Sequence, residues 1–143
     1  MMKVLLIDDD KAVNFFNQHV VIKHNSFEHI KTVQSGQEGL AFLSKVKLGE
    51  APKPDLIFLD INMPAMNGWE FLDEYEKMCS DFRKDIKVII LSSSSNPEHV
   101  NKTIQNYKVI DFINKPLSFD ILDNVLKVYN NLLSSCVQNN PLI

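Results

Sequence analysis

At 143 residues the chain has the length of one domain that buries about two-thirds of its unfolded surface, and its 45% apolar and 23% charged content are those of a soluble globular protein. No apolar run approaches the roughly 20 residues of a membrane span, and the stretch from Met1 to Ile7 meets three aspartates too soon for a secretory leader. A net charge of −3 with no basic stripe argues against a nucleic-acid surface, so no DNA or membrane partner is expected and a cytoplasmic location is.

Taken in chain order, Val4 to Ile7 is a solid apolar run ending in Asp8, Asp9 and Asp10, the last placed to cap a helix on Val13, Phe16 and Val20. His29 to Val33 is a second strand, and Gly36 to Leu48 a weaker helix carrying Leu40 and Leu43. Leu56 to Leu59 forms a third strand that ends in Asp60. Asn67 then caps a helix whose apolar positions are Phe71, Leu72, Tyr75, Met78 and Cys79. Val88 to Leu91 is followed by Ser92 to Ser95 and by a fourth helix capped at Asn96 with Pro97 at its first position, using Val100, Ile104 and Tyr107. Val109 to Ile113 leads to Lys115-Pro116. Ser118 caps a last helix on Leu122, Leu126, Tyr129 and Leu133, which fades at Ser134.

Most of these strands are solid rather than alternating, as in sheets covered on both faces, and five strand–helix alternations imply a parallel α/β sheet with right-handed crossovers. The expected organisation is a single domain over 1–134 and a flexible polar tail over 135–143, with no output domain. Cys79 and Cys136, far apart and without metal-site spacing, are expected to be buried thiols rather than a disulfide. His19, His24, His29 and His99 are scattered and read as surface or turn residues. Val128 and Leu132 fit either a core or an interface.

In an open parallel sheet, chemistry gathers at the C-terminal strand ends. Those ends carry Asp8 and Asp9, then Asp60, Ser92 and Lys115. Each alone is an ordinary turn or cap residue; together they define a site. Carboxylates about 5 Å apart repel by roughly 3 kcal/mol per pair at an effective dielectric of 20, and one lysine does not offset three of them. Hard oxygen ligands favour Mg²⁺, with Mn²⁺ as a substitute, held by Asp8, Asp9, Asp60 and the backbone carbonyl of Asn62. A carboxylate so placed is a nucleophile toward phosphorus, with Lys115, the Ser92 hydroxyl and the N–H groups of Asn62, Met63 and Ser93 as candidate partners of the phosphoryl oxygens.

The stretches "KVLLIDDD", "PDLIFLDINMPAMNG", "VIILSSSS" and "DFINKPL" resemble the receiver domain of bacterial two-component response regulators, from Lys3 to about Leu133. The resemblance implies a flavodoxin-like (βα)5 three-layer sandwich with strand order 2-1-3-4-5. It implies Asp60 as phosphoacceptor, Asp8 and Asp9 as the acidic metal pair, and Ser92 and Lys115 as the hydroxyl and the lysine, with a cis peptide before Pro116. Phe112 falls at the family's rotating aromatic, so Ser92 and Phe112 are the expected switch. The implied donor is a sensor histidine kinase or histidine phosphotransfer protein. The implied output is binding of a downstream protein by a stand-alone receiver, as in chemotaxis or phosphorelay systems. The face built from the fourth helix, fifth strand and fifth helix is the candidate readout and dimer surface.

Two other classes compete. A haloacid-type Mg-dependent phosphohydrolase also uses an aspartate at a strand end, but needs a second acid where this chain has Asn62 and a cap insertion where its loops are short. A flavin module would meet three aspartates where it needs a phosphate-binding loop. A receiver-like binding module that works without phosphorylation is the remaining alternative. The chain is therefore expected to be a self-phosphorylating acceptor rather than a conventional enzyme. Asn62 and Ser94, modest in size, predict an aspartyl phosphate lasting seconds to minutes.

Overall fold

The computed structural model describes residues 1–92 and 109–138, with side chains through residue 132 in the last helix. Five strands, β1 (Met2–Ile7), β2 (Phe27–Val33), β3 (Leu56–Asp60), β4 (Lys87–Ser92) and β5 (Val109–Asn114), alternate with helices. These are α1 (Lys11–Lys23), α2 (Gly36–Lys47), α3 (Gly68–Glu76), the single turn α4 (Ser80–Arg83) and α5 (Phe119–Gln138). All four strand pairings are parallel and the order is β2-β1-β3-β4-β5, the expected flavodoxin-like arrangement. The fourth predicted helix, with Asn96, Pro97 and His99, lies outside the described residues.

The solid apolar runs split by pleat parity onto two faces. Leu5, Ile7, Ile57, Leu59, Val88 and Ile90 pack against Phe42 and Leu43 of α2 and Phe71 and Leu72 of α3. Val4, Leu6, Leu56, Phe58, Ile89 and Leu91 pack against Val21 of α1 and Leu122 and Val125 of α5. Each such side chain, fully buried, stabilises the fold by about 1.5–3 kcal/mol. Local signals close the helices as foreseen. Asp10 accepts from the amides of Ala12 and Val13, Asn67 forms a capping box with Glu70, and Ser118 accepts from Ile121.

Four expectations need correction. In α1 the buried face is Asn14, Asn17 and Val21, whereas Phe16 is half exposed and Val13 and Val20 are only partly buried. The helix is turned so that its asparagines meet backbone groups of two loops, described below. The third predicted helix breaks in two: α3 closes at Lys77, and Cys79, in extended backbone, leads into α4 and is exposed rather than buried. The apolar stripe of α3 is already complete at Phe71, Leu72 and Tyr75. Finally, α5 continues through Ser134 to Gln138, because no helix breaker stands before Pro141. The described histidines are tied into local structure, His19 bonding the Phe15 carbonyl at 3.2 Å. His24 closes α1 and bonds Asp123 of α5 at 2.8 Å, and His29 bonds Thr32 at 2.6 Å.

Candidate functional site

The C-terminal rim of the sheet is assembled from three described crossover loops. β1 delivers Asp8 and Asp9, and the turn into α1 is tied by the Asp10 amide donating to Asp8 Oδ1 at 2.9 Å. β3 delivers Asp60, and beyond it the chain turns back so that the Gly68 amide donates to the Ile61 carbonyl at 2.8 Å. An alanine Cβ at Gly68 would stand 2.7 Å from the Asp60 carbonyl oxygen, so only glycine allows α3 to start this close to the strand end. After β5, the Lys115 amide donates to the Ser92 carbonyl at 2.8 Å and the Lys115–Pro116 peptide is cis.

These loops bring Lys115 Nζ to 2.7 Å from Asp8 Oδ2 and 3.0 Å from Asp60 Oδ1. Asp8 and Asp60 are both 3% exposed, and carboxylate oxygens of Asp8, Asp9 and Asp60 lie within 4.8 Å of one another. Burial pushes the Asp60 carboxyl up to about 6; the Lys115 hydrogen bond and charge oppose that rise, while the Asp8 charge and the Asp9 contact add to it. Burial pulls the Lys115 ammonium down, but its bonds to Asp8 and Asp60 outweigh this and leave it above its ordinary value. One ammonium therefore faces three acids. The donor set is all oxygen, two of its three acids are buried, and it is in net negative surplus, which fits a hard divalent cation.

The notch opens into a cleft of about 620 Å³ walled by Asp9, Asp60, Asn62 and Lys115 on the polar side and by Val13 and Phe16 of α1 on the other. The site residues singled out from the sequence fall into groups. Asp8, Asp9, Asp60 and Lys115 converge. Asn62 is exposed in the same cleft. Ser92 is buried at the end of β4, next to Leu91, the register partner of Asp60. Phe112 is partly buried on β5 against the α2–α3 side of the core. The Met63 amide already donates to the Ile61 carbonyl at 3.2 Å and so is not a ready donor for a ligand. Ser93 and Ser94 lie outside the described residues.

Sequence reasoning missed Asn14 and Asn17. Asn14 Nδ2 donates to the Asp8 carbonyl at 2.6 Å and to that of Val33 at 3.4 Å. Asn17 Oδ1 accepts from the Leu117 amide at 3.0 Å. The only available signal was their three-residue spacing in line with Val21.

A parallel five-stranded sheet of this order, with a lysine-bridged acidic notch at its C-terminal rim, defines a receiver-type signalling module. The chain belongs to the response regulator receiver domain family, which matches residues 4–127. It is 33% identical over 132 residues to the probable C4-dicarboxylate response regulator DctR of Halalkalibacterium halodurans, covering 92% of this chain and 53% of that protein. It is 29% identical over 140 residues to the protein of the same description in Bacillus subtilis, covering 98% and 57%. The chain thus spans about half the length of the curated relatives it matches. Among solved structures, a two component response regulator from Cytophaga hutchinsonii superposes with a TM-score of 0.78 at 34% identity, covering 92% of this chain and 96% of the other. The Mn²⁺-bound form of response regulator Rcp1 does so with a TM-score of 0.68 at 27% identity, covering 90% and 91%. Among the described residues, no helix is long and apolar enough to cross a membrane.

Proposed function

We propose that this receiver takes a phosphoryl group onto Asp60 from a phosphohistidine of a sensor kinase or histidine phosphotransfer protein. The observation that carries this reading is the buried Asp60 carboxylate, paired at 3.0 Å with Lys115 beside Asp8 and Asp9 and open to the cleft. An Asp60 oxygen attacks phosphorus and the P–N bond to the donor imidazole breaks, its electron pair staying on that nitrogen; with the proton carried by the other ring nitrogen of the phosphohistidine, the donor leaves as neutral imidazole. Lys115, already oriented by Asp8, meets charge on the transferred group. Asp8, Asp9, Asp60 and the Asn62 carbonyl hold Mg²⁺ or Mn²⁺, which supplies neutralisation of the phosphoryl oxygens.

The Ser92 hydroxyl, buried one register position beyond the Asp60 partner, reorients toward the new phosphoryl group, and Phe112 moves into the space it leaves. The face that includes β5 and α5 then changes its affinity for a downstream protein, a second copy of the chain being one such partner. Water attack on phosphorus breaks the bond to the Asp60 oxygen and returns the carboxylate. Exposed Asn62 offers this water little obstruction, so the phosphorylated form lasts seconds to minutes.

The test is incubation of the purified chain with acetyl phosphate and Mg²⁺. The expected result is an 80 Da mass increment that vanishes in Asp60→Asn and on chelation. Labelling that persists in Asp60→Asn would place the acceptor elsewhere, and label intact after several hours in Mg²⁺ would refute the short lifetime.

A further inference from the structure

α1 carries polar side chains where an amphipathic helix on a sheet ordinarily carries apolar ones. Asn14 and Asn17 are 4% and 1% exposed, and both are spent on backbone groups of site loops. Asn14 grips the carbonyl of Asp8 itself. Asn17 grips the Leu117 amide, on the loop that carries Lys115, across 100 residues of chain. The Asp8 and Lys115 side chains then meet at 2.7 Å. The same helix face therefore holds both sides of the charge pair in register. Stability alone does not explain this use of the core face. Asn14 Oδ1 is buried with no partner among the described residues, a loss that a well-packed apolar side chain would avoid.

We propose that Asn14 and Asn17 are positioning residues that set the spacing between the Asp8 and Lys115 loops, and so the affinity of the acidic notch for a divalent cation. In this arrangement α1 is a rigid bar bonded to the two loops. Loosening the Asn14 bond lets Asp8 drift from Asp60, and loosening the Asn17 bond shifts the Lys115 bridge that ties Asp8 to Asp60 while its competing charge stays in the notch. Either change spreads the carboxylates without vacating their oxygens. Spread carboxylates bind a small octahedral cation less well, because Mg²⁺ tolerates little departure from its ligand distances. The proposal deepens the phosphoacceptor reading but is measured without phosphate.

The test is calorimetric titration of the full chain with MgCl₂ and MnCl₂, alongside thermal unfolding in chelator, for wild type, Asn14→Ala, Asn17→Ala and Val21→Ala. Asn17→Ser is included so that an alanine variant that does not fold leaves a second reading of the same bond. Val21 is fully buried on the same helix face, belongs to the apolar core and carries no polar group to bond either loop, so its truncation is expected to lower Tm while leaving both asparagine bonds in place. The expected result is an affinity loss of about three- to tenfold for each asparagine variant, of the order one hydrogen bond supplies, with Val21→Ala within twofold of wild type. Asparagine variants that titrate like wild type overturn the proposal. So does an affinity loss in Val21→Ala in step with its Tm, or a wild-type chain that binds neither cation. Loss confined to the asparagine variants supports it even if wild type takes no label from acetyl phosphate, a result that would sink the phosphoacceptor reading alone.

Discussion

Asp60 is a buried acid held beside another acid, and its proton balance has a measurable sign. Its folded value of about 6 lies above the ordinary 3.8, chiefly through burial. Between those two values the folded chain binds more protons than the unfolded one, so stability falls as pH rises through that window and stays lower above it. In chelator, Asp60→Asn should therefore be more stable than wild type at pH 7.5 by about 2 kcal/mol, with a flatter profile between pH 4 and 6. Thermal unfolding at stepped pH reads this; a variant no more stable than wild type at pH 7.5 would refute it. A second residue under strain is Ala65, whose φ of 64° lies in the left-handed region in the turn after β3. Ala65→Gly removes the Cβ clash there, and should raise stability by about 0.5–1 kcal/mol in denaturant titration, the entropy of glycine offsetting part of the gain.

At the scale of elements, the start of α3 is fixed by contact rather than by propensity. A methyl group at Gly68 would meet the Asp60 carbonyl oxygen at 2.7 Å and the Ile61 Cα at 2.8 Å, backbone atoms that no rotamer change can move. Gly68→Ala should cost about 2–3 kcal/mol and, by pushing the β3 end aside, weaken cation binding as well. Chemical denaturation beside a Mg²⁺ titration reads both effects, and an alanine variant equal to wild type in both would disprove the argument. The caps of α1, α3 and α5 were legible because Asp10, Asn67 and Ser118 act within three residues. The buried face of α1 was not. Periodicity weighs hydrophobicity alone and favoured Val13, Phe16 and Val20, whereas the orientation is set by the bond Asn14 donates to the Val33 carbonyl at the end of β2 and the one Asn17 accepts from the Leu117 amide, both distant in sequence. Cys79 was misread for a related reason: continuing the stripe of α3 gave no sign of the extended backbone that leads into α4.

For the whole molecule, the covered parallel sheet and the convergence of Asp8, Asp9, Asp60 and Lys115 were legible because solid apolar runs mark covered strands, and the polar residue ending each run must then sit on the rim; the strand order came only with the resemblance to receiver domains. What the runs do not reveal is how the rim balances its charge. Lys115 touches Asp8 and Asp60 at 2.7 and 3.0 Å, so it relieves acid repulsion and at the same time competes with any cation for those oxygens. Removing it as Lys115→Met leaves two buried carboxylates without a counter-charge, which should cost about 3–5 kcal/mol in chelator. The vacated oxygens then attract a divalent ion more strongly. Binding to the folded state alone stabilises by about 2.7 kcal/mol at a hundredfold excess over Kd. The Mg²⁺-induced rise in Tm should accordingly be larger in Lys115→Met than in wild type, and NaCl at matched ionic strength should reproduce little of either shift. Unfolding curves without MgCl₂ and with MgCl₂ at about a hundredfold excess over the Kd from titration decide it. A smaller rise in the variant would mean that Lys115 helps to organise the notch for the ion instead of competing with it.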